Sequence, residues 1–419
     1  MAYTGTVVVI PTRNRAAIAM NAIRSVLDEP VENVEVLVSD NSTSEAERDA
    51  LQKFCAGFEG KHLRYVRPPE SLPMPAHWNW AIQEVLRSYG PSHFLYLTDR
   101  MMFRKGGLRE VVSLAARYPD KVLTYNADRI VDNSTPIRVE QYPASERLFA
   151  IDTLRLSSLL SQAIIHPAVP RMLNSIVPRT VLDRIQENFG NVFASVSPDF
   201  NFCCRCLELE ESILYYDKAP LFHYALSRSN GASATRGEMT TDYADFTANL
   251  CSDTAQGNWA TPIPGLNTAV NYALHEYCVF KRQTGSARFF ELDMQKYLEA
   301  NANESREVVD PQLREETLSL LAANGYVEAK TNGHVQNTRA ANFSERLQAK
   351  LKRFFTGAAS TSAWLFLART VAITPPGLNN FEFATLDEAI DYARNISRGN
   401  IRRGRADEEL LLARELPKQ

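Results

Sequence analysis

Short apolar runs alternate with amphipathic stretches along the first 130 residues of the chain. The runs are rich in β-branched and aromatic residues, which is typical of buried strands, and they cover residues 6–10, 34–39, 63–66, 94–98 and 122–125. Between them, apolar residues recur at helical spacing, as Ile18, Ala22 and Val26 do. Strands that alternate with helices predict an α/β fold with a Rossmann-like, mostly parallel, doubly wound sheet.

Polar side chains follow four of these strands at the carboxyl end. They are Thr12 and Arg13, Asp40 and Asn41, Arg67, and Asp99 and Arg100. Because ligands of open α/β sheets bind at this edge, the coincidence predicts a ligand crevice there. The sequence contains neither G-x-G-x-x-G nor a P-loop motif, which disfavours classical dinucleotide binding and P-loop phosphate binding.

Two of the edge carboxylates have a structural as well as a functional interpretation. Asp40 can accept a hydrogen bond from a nucleotide base while the backbone at Pro11 and Thr12 closes around it. The alternative is an Asx turn, which its neighbours Asn41 and Ser42 favour. Asp99 can serve the ligand or only cap the turn that follows it.

The composition indicates which binding partners and which cellular compartment to expect. The 46 Lys and Arg against 49 Asp and Glu give a net charge of −3, so nucleic acid is not an expected partner. The six cysteines lack the paired spacing of a zinc site, and we expect reduced thiols in the cytoplasm. We expect no signal peptide, and no uncharged run reaches the roughly 20 residues of a membrane span.

The character of the sequence changes twice, which divides the chain into three parts. We expect an α/β domain at 1–244, a helical region packed on or following it at 245–335, and a helical C-terminal extension at 336–419. Basic residues lie beside bulky apolar ones at 343–355, which fits a helix on an anionic membrane surface. Docking of this extension on its own domain, or on a second copy in a homo-oligomer, is the alternative.

Four motifs in the same order resemble those of family-2 glycosyltransferases with the GT-A fold. They are Val-Val-Ile-Pro-Thr-Arg-Asn-Arg at 8–15, Val-Leu-Val-Ser-Asp-Asn-Ser at 36–42, Met-Pro-Ala-His-Trp-Asn-Trp-Ala-Ile at 74–82 and Leu-Tyr-Leu-Thr-Asp-Arg-Met at 95–101. The resemblance implies a nucleotide-sugar donor and a glycan or lipid-linked glycan acceptor. It also implies base binding at Thr12, Arg13 and Asp40, and bacterial surface-polysaccharide synthesis at the inner face of the membrane.

The chain departs from that family at the motif that binds the metal. Relatives carry Asp-x-Asp, whereas this chain has Asp99-Arg100-Met101. A thioether is a poor ligand for Mg²⁺ or Mn²⁺, which prefer oxygen. Either Asp99 binds a metal with help from His223, or Arg100 supplies the positive charge that offsets the diphosphate. We favour a weak or absent metal site.

The resemblance places the general base at Asp199, in the sequence Ser-Pro-Asp-Phe. A carboxylate suits this role because it has to accept the acceptor's proton only late in the reaction. The alternative is a helix N-terminus, since a helix is predicted from there through Leu207. Both interpretations can hold together.

Two further segments are candidate donor contacts. Ser227, Arg228 and Ser229 lie in a donor-rich loop suited to closing over phosphates, although a solvated loop has the same composition. Asn79 lies between Trp78 and Trp80, which at helical spacing are more often core than ligand contacts.

These observations predict an inverting glycosyltransferase with Asp199 as its base. One alternative is a sugar nucleotidyltransferase on a similar half-sheet. Another is a catalytically inactive GT-A module that binds glycans or partners, for which the missing second Asp is the argument.

Overall fold

A computed structural model describes residues 5–58, 62–142, 144–248, 259–264, 266–327, 379–395 and 414–415. The basic segment at 343–355 lies outside the described residues. Within the part of the chain that the structure describes, every helix is too short or too polar to cross a lipid bilayer. The five cysteines in that part are free thiols.

The first half of the sheet is entirely parallel. Its elements are β1 (Thr6–Thr12), α1 (Ala16–Leu27), β2 (Val34–Asp40), α2 (Glu45–Ala56), β3 (Leu63–Val66), α3 (Met74–Ser88) and β4 (His93–Tyr96). The strands lie in the order β3-β2-β1-β4 with parallel pairing throughout. The doubly wound α/β sheet predicted from the alternation of patterns is therefore confirmed.

The second half of the sheet is mixed. Its elements are β5 (Met101–Phe103), α4 (Gly107–Arg117), β6 (Leu123–Val131), β7 (Ile137–Gln141), β8 (Leu148–Asp152), α5 (Thr153–Ser161), β9 (Ser175–Pro178), α6 (Arg179–Phe189), α7 (Pro198–Leu209) and β10 (Ser212–His223). β9 lies antiparallel between β4 and β6, and β10 runs parallel to β6 but antiparallel to β5 and β8. The sequence pattern did not predict β5, β7, β8 or β9.

Helices cover both faces of the sheet, and each face has its own apolar core. On one face Val8, Ile10 and Val36 pack against Ala19 and Ile23 of α1. On the other face apolar side chains of β1 and β4 pack against α3, α6 and α7. Burial on both faces explains why these strands read as continuous apolar runs.

A helical region follows β10 and packs on the sheet domain. After a 3₁₀ turn at Leu226–Arg228 come α8 (Asn230–Arg236), α9 (Thr241–Ala248), α10 (Ala269–Thr284), α11 (Met294–Ser305) and α12 (Pro311–Ala323). Tyr277 and Phe280 of α10 belong to the same apolar core as Phe202 of α7. The boundary expected at residue 244 lies inside α9.

A C-terminal segment returns to the sheet domain. It consists of β11 (Asn379–Phe383) and α13 (Leu386–Asn395), and the short β12 (Arg414–Glu415) pairs with β8. β11 adds to β7 as an antiparallel strand, and Ile390 packs in a cluster with Ile130 and Phe222. Arg104 donates to the carbonyl of Ala393 at 2.5 Å. This segment of the extension therefore docks on its own domain and adds strands that the helical expectation did not include.

Candidate functional site

The carboxyl ends of β1, β2 and β4 meet at one edge of the sheet, as the sequence predicted. Thr12 lies opposite Asp40 in the register of β1 and β2. The Thr12 hydroxyl donates to Asp99 Oδ2 at 2.9 Å, which joins the ends of β1 and β4 across 87 residues of sequence. Thr12, Asp40 and Asp99 are all buried. The structure thus brings three of the predicted polar residues together.

Asp40 uses both of its carboxylate oxygens within the protein. Its Oδ1 accepts from the Ser42 N–H at 2.8 Å, and its Oδ2 accepts from the Tyr65 hydroxyl at 2.7 Å. The first contact is the Asx turn that the sequence offered as the alternative. Base binding by Asp40, with Pro11 and Thr12, stays a prediction.

The loop after β1 joins three structural elements. Ser44 and the following Glu47 have the spacing of a capping box, in which the Glu47 side chain would accept from the Ser44 N–H. In the structure Asn14 Oδ1 accepts from that N–H instead, at 3.0 Å. Glu47 instead caps α1, because its Oε2 accepts from the Ala16 N–H at 2.6 Å. Ser44 still caps α2, because its hydroxyl accepts from the Glu47 N–H at 3.5 Å. Contacts between elements therefore replace only the half of the capping box that Glu47 would supply.

Acidic residues of α9 pair with arginines around the site. Arg13 binds Asp245 through two nitrogens at 2.7 and 2.9 Å, and Arg228 forms a bidentate pair with Asp242. Arg15 lies 3.5 Å from Asp242. α9 therefore lies against the loop after β1 and neutralises the basic residues there. Nothing in the local pattern indicated these pairs, since sequence separations of up to 232 residues divide the partners.

Arg15 also connects this network to the end of β4. One of its guanidinium nitrogens lies 3.5 Å from Asp99 Oδ1. Asp99 therefore faces Thr12 on one oxygen and a cation on the other. Arg15 is the last residue of the motif at 8–15, but the sequence did not indicate a role for it.

The loop after β10 is ordered by Asp132. Asp132 accepts from the Ser227 hydroxyl at 3.0 Å and from the Leu226 N–H at 2.7 Å. Ser229 caps α8, because its hydroxyl accepts from the Ala232 N–H at 3.3 Å. In this arrangement Ser227 and Ser229 serve the loop itself, and their contact with a donor stays a prediction.

Asn79 fixes the backbone that precedes α7. Its Oδ1 accepts from the N–H groups of Val192 and Phe193 at 3.0 Å, and its Nδ2 donates to the carbonyls of Phe193 and Pro75 at 2.7 and 3.0 Å. Trp78 packs edge-on to Phe193, with 5.1 Å between the ring centroids. These contacts explain the Trp and Asn pattern as core and scaffold, and direct donor contact by Asn79 stays a prediction.

Arg100 and His223 lie at adjoining strand ends. The Arg100 carbonyl accepts from the Tyr224 N–H at 3.0 Å, and His223 pairs with Met101 in the β5–β10 register. Burial, followed by the positive charge of Arg15, lowers the pKa of Arg100 to about 10, so the guanidinium stays charged at neutral pH. Burial and then the charges of Arg100, Arg171 and Arg129 lower the pKa of His223 to about 3.

The two candidate metal ligands, Asp99 and His223, do not fit a divalent cation. His223 is neutral at pH 7 and could ligate, but three arginine charges act on it and would repel a metal ion. Asp99 is engaged by Thr12 and Arg15. Among the residues the structure describes, no group of three His, Cys, Asp or Glu side chains is placed to hold a metal.

Asp199 lies in the first turn of α7 and is partly exposed. Burial raises the pKa of Asp199 above its ordinary value, and the positive charge of Arg171 and backbone hydrogen bonds oppose this shift. A partly desolvated carboxylate with a raised pKa is the kind of group that accepts a proton in general base catalysis. The helix N-terminus and the base role are thus compatible in the same residue.

Glu276 of α10 holds the chain that carries Asp199. Its Oε1 accepts from the N–H groups of Val196 and Ser197 at 3.0 and 2.8 Å, and its Oε2 accepts from Asn201 at 3.2 Å. No motif in the sequence pointed to Glu276. The available signal was a charged residue three positions after Ala273, on the apolar face of a predicted helix.

Burial raises the pKa of Glu276 from 4.5 to about 7, and its hydrogen bonds oppose the shift. The folded state therefore holds the proton of Glu276 more tightly than the unfolded state does. The contribution of Glu276 to the free energy of unfolding is greatest below pH 4.5 and is lost as the pH rises through about 7. Glu304 has the same raised pKa of about 7. We expect Glu276→Gln to remove about half of this decline in chemical unfolding measured from pH 4.5 to pH 7.

The exposed Glu316, which pairs with Gln312 on the surface of α12, provides the control. Glu316→Gln should leave the pH dependence of unfolding as it is in the unchanged protein. If the free energy of unfolding of Glu276→Gln and of Glu316→Gln depended equally on pH, the role assigned to Glu276 would be wrong.

The mostly parallel sheet with polar residues at its carboxyl edge has the arrangement expected of a GT-A domain. Residues 7–166 match the family model described as Glycosyl transferase family 2, so this part of the chain is a family-2 glycosyltransferase domain. The match covers all four motifs on which the resemblance was based. It ends before Asp199, Arg228 and Glu276, so the match does not test the roles predicted for Asp199 and Arg228.

Two solved structures illustrate what the chain is similar to. One is S. aureus TarS 1–349 in complex with UDP-GlcNAc, at 14% identity over 76% of this chain and 88% of that chain, with a TM-score of 0.41. The other is the mannosyltransferase PcManGT from Pyrobaculum calidifontis in complex with GDP-Man and Mn²⁺, at 11% identity over 84% of this chain and 81% of that chain, with a TM-score of 0.38. The chain matches no curated protein sequence.

Proposed function

We propose that this glycosyltransferase moves a sugar from a nucleotide-sugar donor to an acceptor hydroxyl with inversion at the anomeric carbon. The observation that carries the proposal is the Asp199 carboxylate, held by the Glu276 scaffold in the first turn of α7 with a raised pKa. The similar structures of TarS and PcManGT contain UDP-GlcNAc and GDP-Man, respectively.

The proposed reaction is a single in-line displacement. Asp199 takes the proton of the acceptor hydroxyl while the hydroxyl oxygen forms a bond to the anomeric carbon. The bond from that carbon to the donor phosphate oxygen breaks, and its electron pair leaves with the nucleoside diphosphate. The donor lies at the sheet edge near Thr12, Asp40 and Asp99. Arg100 offsets the charge that develops on the leaving group, so no step requires a divalent cation.

A thermal-shift screen against nucleoside diphosphates and their sugars tests donor binding. A true donor should raise the melting temperature in a concentration-dependent way, because it binds only the native state. NMR of the product formed from that donor then reports whether the anomeric configuration is inverted. A retained configuration would contradict the displacement.

The same screen separates the two alternative functions. A sugar nucleotidyltransferase would respond to a nucleoside triphosphate and convert it with a sugar 1-phosphate. An inactive binding module would bind a nucleotide-sugar or a glycan without turnover. Either result would replace the proposal.

The acceptor in this proposal is a glycan or a lipid-linked glycan of bacterial surface-polysaccharide synthesis. We further propose peripheral contact with the inner face of the membrane through the basic residues of 343–355. Deleting the whole extension would also remove β11 and α13, which pack on the catalytic domain. Lys350→Gln, Lys352→Gln and Arg353→Gln combined should instead reduce sedimentation with phosphatidylglycerol vesicles. Unchanged sedimentation would reject the contact.

A further inference from the structure

The loop at residues 190–197 connects α6 with α7 and leads into the turn that carries Asp199. Because Asp199 is the second residue of α7, the position of this loop decides where its carboxylate lies. Ser195, within the loop, has a φ of 64°, a left-handed conformation that a residue with a Cβ rarely adopts. Such a backbone persists only where the surrounding structure over-determines it.

The first half of this loop is fixed from α3 and α7. Arg205 of α7 donates to the carbonyl of Asn191 and, at 2.8 Å, to the side-chain Oδ1 of the same residue. The amide group of Asn79, in α3, accepts from the Phe193 N–H at 3.0 Å and donates to the Phe193 carbonyl at 2.7 Å. The Phe193 ring is buried, with its centroid 5.4 Å from that of Tyr96 in β4. This half of the loop is therefore anchored to the sheet domain.

The second half of the loop is held from α10 through one side chain. Glu276 is fully buried, and its Oε1 accepts from the N–H groups of Val196 and Ser197 at 3.0 and 2.8 Å. Its Oε2 accepts from Nδ2 of Asn201, the fourth residue of α7, at 3.2 Å. Glu276 therefore connects the last two peptide N–H groups of the loop with α7 itself.

This support of the base comes from outside the residues 7–166 that match the family model. Loss of the Glu276 carboxyl group would leave the N–H groups of Val196 and Ser197 without their acceptor, so the chain there would move toward water or another partner. Asp199 follows Ser197 by only two residues. Movement of the loop end would therefore displace the carboxylate.

We propose that Glu276 is a positioning residue for the transfer reaction. It fixes the peptide groups two and three residues before Asp199, and because it is fully buried it acts through Asp199 and not by contact with a substrate. The assignment rests on the proposed function, in which Asp199 is the base. It makes the helical region a working part of the catalytic unit.

Glu276→Ala should lower kcat roughly 10- to 100-fold, because a misplacement of a reacting group by about 1 Å has an effect of this size. The KM for the donor should stay nearly unchanged, since in the proposed reaction the donor binds at the sheet edge. Initial rates over a range of donor and acceptor concentrations give both constants, and chemical unfolding gives the folded fraction. A kcat per folded molecule equal to that of the unchanged protein would overturn the proposal.

Two further substitutions separate the length of the side chain from its presence, and they also serve if Glu276→Ala does not fold. Glu276→Gln keeps an oxygen for the two N–H groups, and its amide can donate to Asn201 Oδ1, which is buried and has no hydrogen-bond partner among the described residues. Its kcat should stay close to that of the unchanged protein.

Glu276→Asp keeps the carboxyl group but is one methylene shorter, so it cannot reach both the loop and α7. Its kcat per folded molecule should fall. A kcat for Glu276→Asp equal to that of the unchanged protein would reject the positioning role, and so would a kcat for Glu276→Gln as low as that of Glu276→Asp.

Glu304 of α11 is the matched control, because its carboxyl group makes similar contacts at another place. Its Oε2 accepts from the Val270 N–H at 2.9 Å, and its Oε1 accepts from the Thr235 hydroxyl at 3.3 Å. Glu304→Ala should also lower the free energy of unfolding, but its kcat per folded molecule should be unchanged. An equal fall of kcat in Glu304→Ala and Glu276→Ala would mean that any loosening of the helical region slows the reaction, and it would overturn the role of Glu276.

A double variant tests whether Glu276 acts through the base. Asp199→Asn combined with Glu276→Ala should be no slower than Asp199→Asn alone, because the position of a group that cannot take a proton no longer affects the rate. Losses in kcat that multiply would overturn the proposal.

The single variants distinguish failure of the positioning role from failure of the proposed function. Normal turnover in Asp199→Asn would reject the proposed function and the positioning role with it. An inactive Asp199→Asn beside a normal Glu276→Ala would reject the positioning role alone.

Discussion

Replacing Asp199 with Asn should lower kcat by roughly 100- to 10,000-fold, the contribution of a positioned general base. The amide has nearly the same shape as the carboxylate and can keep accepting backbone hydrogen bonds, but it cannot take a proton. In the proposed reaction the donor binds at the sheet edge near Thr12, Asp40 and Asp99, so its binding should stay nearly unchanged. Initial rates with a defined acceptor and calorimetric binding of the nucleoside diphosphate measure the two effects separately.

Asp183→Asn is the control for this variant. Asp183 pairs with Arg179 at 3.3 Å on the surface of α6, where such a pair contributes little to stability. Its kcat should equal that of the unchanged protein. Normal turnover in Asp199→Asn would remove the base assignment and leave Asp199 as a helix-terminal residue only.

Activity should also rise with pH through the pKa of Asp199, because only the carboxylate form accepts a proton. Burial places this pKa above the ordinary range of an aspartate, while Arg171 opposes the shift. Removal of the Arg171 charge in Arg171→Met should therefore move the acid limb of the profile to higher pH.

Chelation with EDTA should leave the transfer rate nearly unchanged, whereas Arg100→Met should lower kcat roughly 100-fold or more. The reason is that, in the proposed reaction, the guanidinium of Arg100 is charged at neutral pH and offsets the charge of the leaving group in place of a metal. Arg100→Lys keeps the charge but loses the planar fork, so its kcat should lie between those of the unchanged protein and Arg100→Met. Initial rates in EDTA, with and without added Mn²⁺, provide the measurement.

Strict dependence on Mn²⁺ or Mg²⁺ would contradict this expectation. In that case Asp99 would have to leave its contact with Arg15, and His223 would have to bind a cation beside Arg100. Asp99→Asn distinguishes the two accounts, because it should abolish metal-dependent activity but only weaken a metal-independent reaction.

Much of the fold was predictable because its signals are local. The strands before Thr12, Asp40 and Asp99 are apolar runs that end in a polar residue, and this alone placed three groups at one sheet edge. The short antiparallel strands β5, β7, β8 and β9 escaped prediction. β5, β8 and β9 pair with strands that are distant in the chain, and β7 lies between β6 and the C-terminal β11.

The site was predictable to a lesser extent. Motif resemblance selected Asp199 and the segment around Arg100, but the partners that define their chemistry come from elsewhere. Arg171 belongs to a loop, Glu276 to a helix of the second region, and Asp242 and Asp245 to a helix at the predicted domain boundary. The contact between Glu276 and Asn201 spans 75 residues of sequence, and the contact between Arg13 and Asp245 spans 232.

The sequence by itself determined the sheet edge, the family and the absence of a second aspartate at residue 101. These follow from periodicity and residue identity, which a chain carries whatever its conformation. Only the tertiary structure decided that the charges of Arg100, Arg171 and Arg129 lower the pKa of His223, while Asp242 and Asp245 neutralise Arg13, Arg15 and Arg228. Charge interactions depend on distance through space, and folding alone sets that distance.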